Sequence, residues 1–282
     1  MIDFPLIAVV LAAGKGTRFK SEKPKVLHNI LGKPMLWYTL FAVKWLKPQK
    51  TLIVVGHKKE EVIKAINCDG CEFVYQEEQL GTGHAVYTAK DHFKEFDGYV
   101  LIINGDTPLI KGETLHNAGE YLKALIRYEG ANLTNYRGYR NKSIAGVVLT
   151  AKLPNPYGYG RIVKDKDHRV IKIVEEKDAT PQEKQINEVN SGIYFFYAPY
   201  LKEALEKLEN NNAQKEYYLT DVIEILRQEE KYTYTLEIPD YTEILGVNDR
   251  LQLAGAENIL KERFLTFWAL NGTTFHNLSL IH

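Results

Sequence analysis

The first half of the chain alternates short, unbroken apolar runs with helix-period segments, and few folds satisfy that pattern. "LIAVVLA" (Leu6 to Ala12), "TLIVVG" and "YVLIING" place apolar residues at consecutive positions instead of at every second one. A strand of that kind hides both of its faces. Between these runs, "PMLWYTLFAVKWL", with Pro34 in its first turn, "KEEVIKAI" and a segment from about Gly83 to Phe93 read as helices, and "CEFVYQ" as another strand. Strands buried on both faces and separated by helices predict a doubly wound α/β fold with a mostly parallel sheet and right-handed crossovers. Ligands of such sheets bind beyond the carboxyl ends of the strands. Three polar segments fall there: "AAGKGTR", "QEEQLGTGH" and "NGDTPL".

The second half has a different texture. "AGVVLTAKL", "GRIVKD", "RVIKIVEE" and "EVNSGIYFFY" are strand-like and joined by turns, which predicts a more antiparallel, β-rich lobe covering the parallel sheet. Helices return at "PYLKEALEKL" and "YLTDVIEILRQ", and a long amphipathic helix is expected from about Asp249 to Leu270. The stretch from Tyr128 to Lys142 shows no period and is expected to be a surface excursion.

Lys plus Arg number 36 and Asp plus Glu number 36, so the formal net charge is zero. That balance argues against a nucleic-acid protein, whose surface shows a basic excess. No run approaches the length of a membrane span and the first residues lack the pattern of a signal peptide, so a cytoplasmic protein is expected. Cys68 and Cys71 stand in "NCDGC" without a second ligand pair. Metal and redox roles are disfavoured, and the plain reading is two thiols flanking an Asp-Gly turn.

The loop after the first strand supplies donors for an anion. Gly14 and Gly16 allow backbone N–H groups to approach phosphate oxygens, Arg18 offers a planar fork and Lys25 a compact charge. The spacing is neither that of a Walker A loop nor a dinucleotide fingerprint. The longer string "LAAGKGTR", then Pro24-Lys25, then "LGKPML" resembles the signature of sugar-1-phosphate nucleotidylyltransferases. It is most similar to the uridylyltransferase half of bacterial bifunctional enzymes that make UDP-N-acetylglucosamine. The similarity continues in order through "QEEQLGTGHAV", "NGDTPLI", "PYGYGRIV", "IVEEKDAT", "EVNSGIYFF", "NNAQKEYYLTD" and "GVNDRLQL".

The resemblance implies a Rossmann-like nucleotidyltransferase fold and a role for each matching residue. Leu11, Ala13, Gly14, Lys25, Gln76, Gly81 and Thr82 would bind the nucleotide, with Gln76 reading uracil through its amide. Asp106 and Asn248 would hold Mg2+, a hard ion suited to a few oxygen donors completed by phosphates and water. For Asn248 a helix N-cap role is also open, and for Asp106 a turn role. Gly158, Glu175, Asn190, Tyr218 and Thr220 would bind the sugar. Arg18 and Lys25 would be catalytic through charge stabilisation. The implied reaction is in-line attack of N-acetylglucosamine 1-phosphate on the α-phosphorus of UTP, with pyrophosphate leaving, as in cell-wall precursor synthesis. The attacking phosphate is already an anion, so no base is needed, and His84 reads as structural or a minor contact.

The resemblance also divides the chain. Residues 1–248 would form the nucleotidylyltransferase domain, with nucleotide binding over about 1–127 and a sugar lobe over about 145–248, and 249–282 a helical arm. The bifunctional family continues into a β-helix of hexapeptide repeats. None precedes His282, so acetyl transfer is expected to be absent and the chain to be a monomer or weak homo-oligomer. Two departures from the family pattern fall near the sugar side: Asn104 stands where some members carry an aromatic residue, and Lys215 where glycine is usual.

Overall fold

A computed structural model describes residues 4–131 and 143–276 of the protein. The first half contains β1 (Leu6–Ala12), a hairpin of β2 (Asn29–Ile30) and β3 (Lys33–Pro34), α1 (Met35–Lys44), β4 (Lys50–Val55), α2 (Lys59–Ala65), β5 (Cys71–Tyr75), α3 (Thr82–Thr88), β6 (Tyr99–Asn104) and α4 (Gly112–Ala131). The second half contains β7 (Ile144–Lys152), β8 (Arg161–Lys164), β9 (Val170–Val174), β10 (Glu188–Tyr197), α5 (Ala198–Leu205), α6 (Asp221–Gln228), β11 (Tyr232–Glu237) and α7 (Arg250–Leu270).

The doubly wound α/β architecture is present. β1 pairs in parallel with both β4 and β6, and β4 with β5. Successive β1 residues enter opposite layers: Ala8 and Val10 join one hydrophobic cluster, Ile7 and Val9 the other, and all four are buried. Burial on both sides is why this strand is apolar at every position.

The expected lobe covering the sheet is corrected. The second-half strands extend the same sheet edge to edge, in the order β11-β7-β10-β6-β1-β4-β5. β10 runs antiparallel to β6 and β7. The reason lies in their burial: Val147 and Leu149 of β7 face one cluster while Ala145 and Val148 face the other. A layer lying across the sheet could satisfy only one of those faces. β8 and β9 alone leave the main path, branching from β10 at Val189. There β10 carries an irregularity between Asn190 and Tyr194, which turns side chains away from the ladder.

The other helices and strands fall close to their expected places. The helix expected to run to Phe93 ends at Thr88 and continues as a separate 3-10 turn, Lys90–His92. Pro34 caps α1 instead of entering it, consistent with its missing N–H. α4 and β11 have no counterpart in the sequence reading. α4 places the buried Leu115, Ala118 and Leu122 within a largely polar segment, and β11 is an edge strand that alternates Tyr and Thr. α4 takes in residues up to Ala131 of the predicted excursion, and 132–142 lie outside the described residues.

Cys68 and Cys71 are joined by a disulfide across the Asp69-Gly70 turn, which corrects the reading of two thiols. Among the described residues no helix is long and apolar enough to cross a membrane.

α7 is folded down onto the first half. Ala256 and Leu260 pack with Phe19, Ile30, Met35 and Tyr38. Arg263 Nη1 donates to the Leu109 carbonyl at 2.6 Å, and Leu31 N donates to Glu257 Oε1 at 2.8 Å. This anchoring brings the start of α7, and Asn248 just before it, to the carboxyl edge of the sheet.

Candidate active site

The carboxyl ends of β1, β5 and β6 open into two adjoining cavities. One, of about 590 Å³, is lined by Ala13, Gly14, Lys25, Gln76 and Gly81. The other, of about 440 Å³, is lined by Arg18, Gly158, Glu175, Asn190, Thr220 and Asn248. Leu11, Thr82, Asn104 and Asp106 line both and form the shared wall. Fourteen of the predicted site residues thus divide between the two cavities, the nucleotide set in one and most of the sugar set in the other.

The glycine loop is shaped for close approach. Gly16 has φ +62°, and a Cβ there would lie 2.6 Å from the Cβ of Lys25. Only glycine lets the loop fold against the lysine stem. Arg18 lies in a 3-10 turn, Thr17–Phe19, exposed at the rim and without an ion pair among the described residues. Its guanidinium is therefore available to an anionic ligand.

Lys25 is the meeting point of the site. Its ammonium donates to Asp106 Oδ2 in a short contact, and to Asn248 Oδ1 at 3.2 Å. The Lys25 and Asp106 side chains are 13% and 18% exposed, so this ion pair is largely withdrawn from water. Asp106 is set by the turn after β6, which is tied to α7 by the Val247 amide donating to the Asp106 carbonyl at 2.9 Å.

The open question of Asn248 as a helix cap is settled against it. Asp249 is the N-cap of α7, its carboxylate accepting from Gln252 N at 2.8 Å. Gln252 Oε1 accepts from Asn248 N at 2.7 Å, which leaves the Asn248 side chain free for the site.

The donor set fits a divalent cation. One carboxylate and one amide oxygen converge on a single positive charge, here the Lys25 ammonium. Among the described residues no cluster of three or more His, Cys, Asp or Glu could hold a metal by itself. Two hard oxygens suit a cation whose remaining positions are completed by phosphates and water.

The second cavity is polar and acid-lined. Thr220 Oγ1 donates to Glu175 Oε1 at 3.3 Å. Burial pushes the Glu175 carboxyl above the usual carboxylate range. Its neighbour Glu176 pairs directly with Arg161 at 2.7 Å, and the arginine offsets only a small part of the upward push on Glu175. Asn190 donates from Nδ2 to Tyr194 OH at 2.6 Å and accepts from Gly192 N at 3.1 Å, both within the β10 irregularity.

Tyr218 is the exception among the predicted sugar residues. It is 8% exposed, is absent from the lining of this cavity, and donates to Asp178 Oδ2 at 3.3 Å.

Asn104, Tyr159 and Gly246 line the second cavity without having been singled out as binders. Asn104 carried a signal, its departure from the family pattern; the other two carried none. Lys215, at the position where glycine is usual, takes φ +57° in the left-handed region. The family's glycine is explained by that backbone, and lysine bears its strain.

Asp221, at the start of α6, has its carboxyl pushed up to about 6, first by burial and then by Glu224 and Asp178. The folded state therefore holds the proton more tightly than the unfolded chain. The cost of the carboxylate is present at pH 7 and is relieved as pH falls from about 6 towards 4. Asp221→Asn is expected to raise stability by about 1 kcal/mol at pH 7, the helix N-terminus offsetting part of the gain. Urea unfolding at pH 7 and pH 4 checks this, the advantage vanishing at the lower pH.

The comparison that decides the family covers the half of the chain that lines most of the first cavity. The sequence model of the MobA-like NTP transferase domain matches residues 8–159. This chain belongs to the MobA-like NTP transferase family. Among its relatives, "Bifunctional protein GlmU" of Aquifex aeolicus (strain VF5) is 49% identical over 271 residues, covering 95% of this chain and 56% of that protein. The protein of the same name from Streptococcus pyogenes serotype M3 (strain ATCC BAA-595 / MGAS315) is 45% identical over 275 residues, covering 98% and 56%. That from Streptococcus mutans serotype c (strain ATCC 700610 / UA159) is 46% identical over 270 residues, covering 96% and 55%. The chain spans a little more than half the length of these relatives. A crystal structure of UDP-glucose pyrophosphorylase complexed with UDP-glucose superposes with a TM-score of 0.66 at 16% identity, covering 92% of this chain and 99% of that one. That likeness extends the fold of this NTP transferase across both cavities.

Proposed function

We propose that this chain transfers a uridylyl group from UTP to N-acetylglucosamine 1-phosphate, releasing pyrophosphate and UDP-N-acetylglucosamine. The observation that carries the reading is the shared wall. Asp106 lines both cavities, and Lys25 and Asn248 meet it there. A nucleotide in the first cavity and a sugar phosphate in the second would bring two anions together beside these groups. Membership in the NTP transferase family and the high identity to proteins called GlmU support the same assignment.

Asp106 and Asn248 would hold the divalent ion, read as Mg2+, which when bound supplies positive charge to the phosphates and to the leaving pyrophosphate. The residues of the chain do the rest. Gly14 and Gly16 bring backbone amides to the triphosphate, and Arg18 offsets charge at the rim. Lys25, paired here with Asp106 and Asn248, would offer its ammonium to the phosphates were a cation to take those two oxygens. Glu175, Asn190 and Thr220 offer acceptors and donors to sugar hydroxyls and the acetamido group. The sugar phosphate is already ionised, so positioning and charge suffice without a nucleophilic side chain.

In this reading residues 1–248 form the catalytic domain, with 249–282 as an arm whose first turns position Asn248. The setting is cytoplasmic, the chain acts as a monomer or weak homo-oligomer, and neither nucleic acid nor membrane is a partner. The test is pyrophosphate release from UTP with N-acetylglucosamine 1-phosphate, glucose 1-phosphate and glucosamine 1-phosphate, each with Mg2+ and with EDTA. The first acceptor is expected to be preferred and EDTA to abolish turnover. Equal use of the three acceptors would overturn the sugar assignment, and release unaffected by EDTA would overturn the metal.

A further inference from the structure

We propose that His84 is a positioning residue that locks the Gln76 amide in the orientation selecting uracil over cytosine. The proposal rests on the uridylyltransferase reading above and deepens it at the base.

Gln76 follows β5, its backbone N donating to the Val55 carbonyl at 2.8 Å. It is 2% exposed, yet it lines the nucleotide cavity. Its Nε2 lies 3.3 Å from the Gly81 carbonyl and 2.9 Å from His84 Nδ1. These two contacts fix the amide without ambiguity. A carbonyl oxygen only accepts, so the nitrogen end of the amide must face Gly81. The same nitrogen meets His84 Nδ1, so that ring nitrogen must carry a lone pair. His84 is thereby held as the neutral tautomer with its proton on Nε2. Both N–H bonds of Gln76 are consumed inside the protein. Oε1 has no partner among the described residues and is the one amide atom left for a base.

His84 is not among the residues lining the nucleotide cavity. It lies in the first turn of α3 and lines a separate cavity behind Gln76, with Leu80, Tyr87, Leu208 and Tyr217. Its helix is pinned by Gly83 N donating to the Tyr217 carbonyl at 2.8 Å, and the His84 carbonyl accepts from Thr88 Oγ1 at 2.9 Å within the helix. The ring is therefore a fixed acceptor.

The consequence follows from the two bases. Uracil presents an N3–H donor, and a lone acceptor oxygen matches it. Cytosine presents a lone pair at N3, which that oxygen repels. A glutamine free to turn over could serve both, giving N–H to cytosine N3 and oxygen to its amino group. Discrimination thus resides in the lock on the amide and not in glutamine as such.

The experiment measures kcat/KM for UTP and for CTP in wild type, His84→Phe and His84→Asn. Phenylalanine keeps the ring and removes the acceptor, and the UTP:CTP ratio is expected to fall about tenfold, the worth of one lost hydrogen bond. Asparagine places Oδ1 close to where Nδ1 stood and is expected to recover most of the ratio. KM for the sugar phosphate stays unchanged in both. A merely structural histidine would lower both nucleotides alike, and an unmoved ratio in His84→Phe overturns the proposal. Should that variant fail to fold, the ¹⁵N shifts of the wild-type ring decide. An unprotonated Nδ1 at neutral pH is expected, and the opposite tautomer overturns the lock. Wild-type protein that uses UTP and CTP equally, or neither, would instead overturn the uridylyl reading and the lock with it. A UTP preference with an unmoved ratio would remove the lock alone.

Discussion

Asp106→Asn is expected to lower kcat by at least about a thousandfold while leaving the protein folded. Asparagine keeps the shape of the side chain and one oxygen that can still accept from Lys25. It removes the negative charge, and with it the stronger of the two oxygen ligands proposed for the metal. The pairing with Lys25 weakens from an ion pair to a neutral acceptor. Both side chains are partly withdrawn from water, so the stability cost is about 1 kcal/mol. KM for UTP should move much less than kcat, because the base and ribose contacts are elsewhere. Titrating Mg2+ in the pyrophosphate-release assay measures both effects. Turnover near wild type would remove Asp106 from the metal site.

Much of the architecture around this site is legible in the sequence, and the reason is local. Parallel strands buried on both faces announce themselves by unbroken apolar runs, and Leu6 to Ala12 is such a run. Once the strand directions are known, the edge that gathers Gly14, Gln76 and Asp106 follows from topology alone. Glycines forced by backbone conformation are also visible. Gly16 and Gly81 both have positive φ, and a Cβ on either would collide, with Lys25 at 2.6 Å and with the Tyr217 carbonyl at 2.6 Å respectively.

The misses are of a different physical kind. Whether antiparallel strands lie over a sheet or continue it depends on what covers their second face. For β7 part of that cover is supplied by α4 and for β10 by α5, and the apolar runs of the two strands do not say which element will cover them. Tyr218 illustrates the same limit at a single residue: its partner Asp178 is 40 positions away, and only the fold shows that the hydroxyl is bonded to it. Asn248 was ambiguous because "VNDR" offers two adjacent residues able to cap a helix. Asp249 takes the cap, and that choice releases Asn248. The lock on Gln76 was beyond reach for a related reason. "QLGTGH" gives both members of the pair, but not that Nε2 meets Nδ1.

The second large effect is expected at Lys25, and it has two readouts that separate its roles. Lys25→Ala should lower kcat by about a hundredfold or more, through loss of a charge aimed at the triphosphate. Lys25→Arg should not rescue it, because a planar guanidinium cannot take the place of a compact ammonium between Asp106 and Asn248. The alanine variant also leaves the Asp106 carboxylate, 18% exposed, without its cation, which costs about 1 kcal/mol of stability in the absence of metal. The ammonium holds the two oxygens proposed for the divalent ion, so the two would compete. Added Mg2+ should therefore raise the Tm of Lys25→Ala more than that of wild type, since no resident charge has to be displaced. Calorimetry with and without Mg2+ measures that difference independently of turnover. A smaller Mg2+ shift in the variant than in wild type would mean that the lysine assists the metal site instead of occupying it.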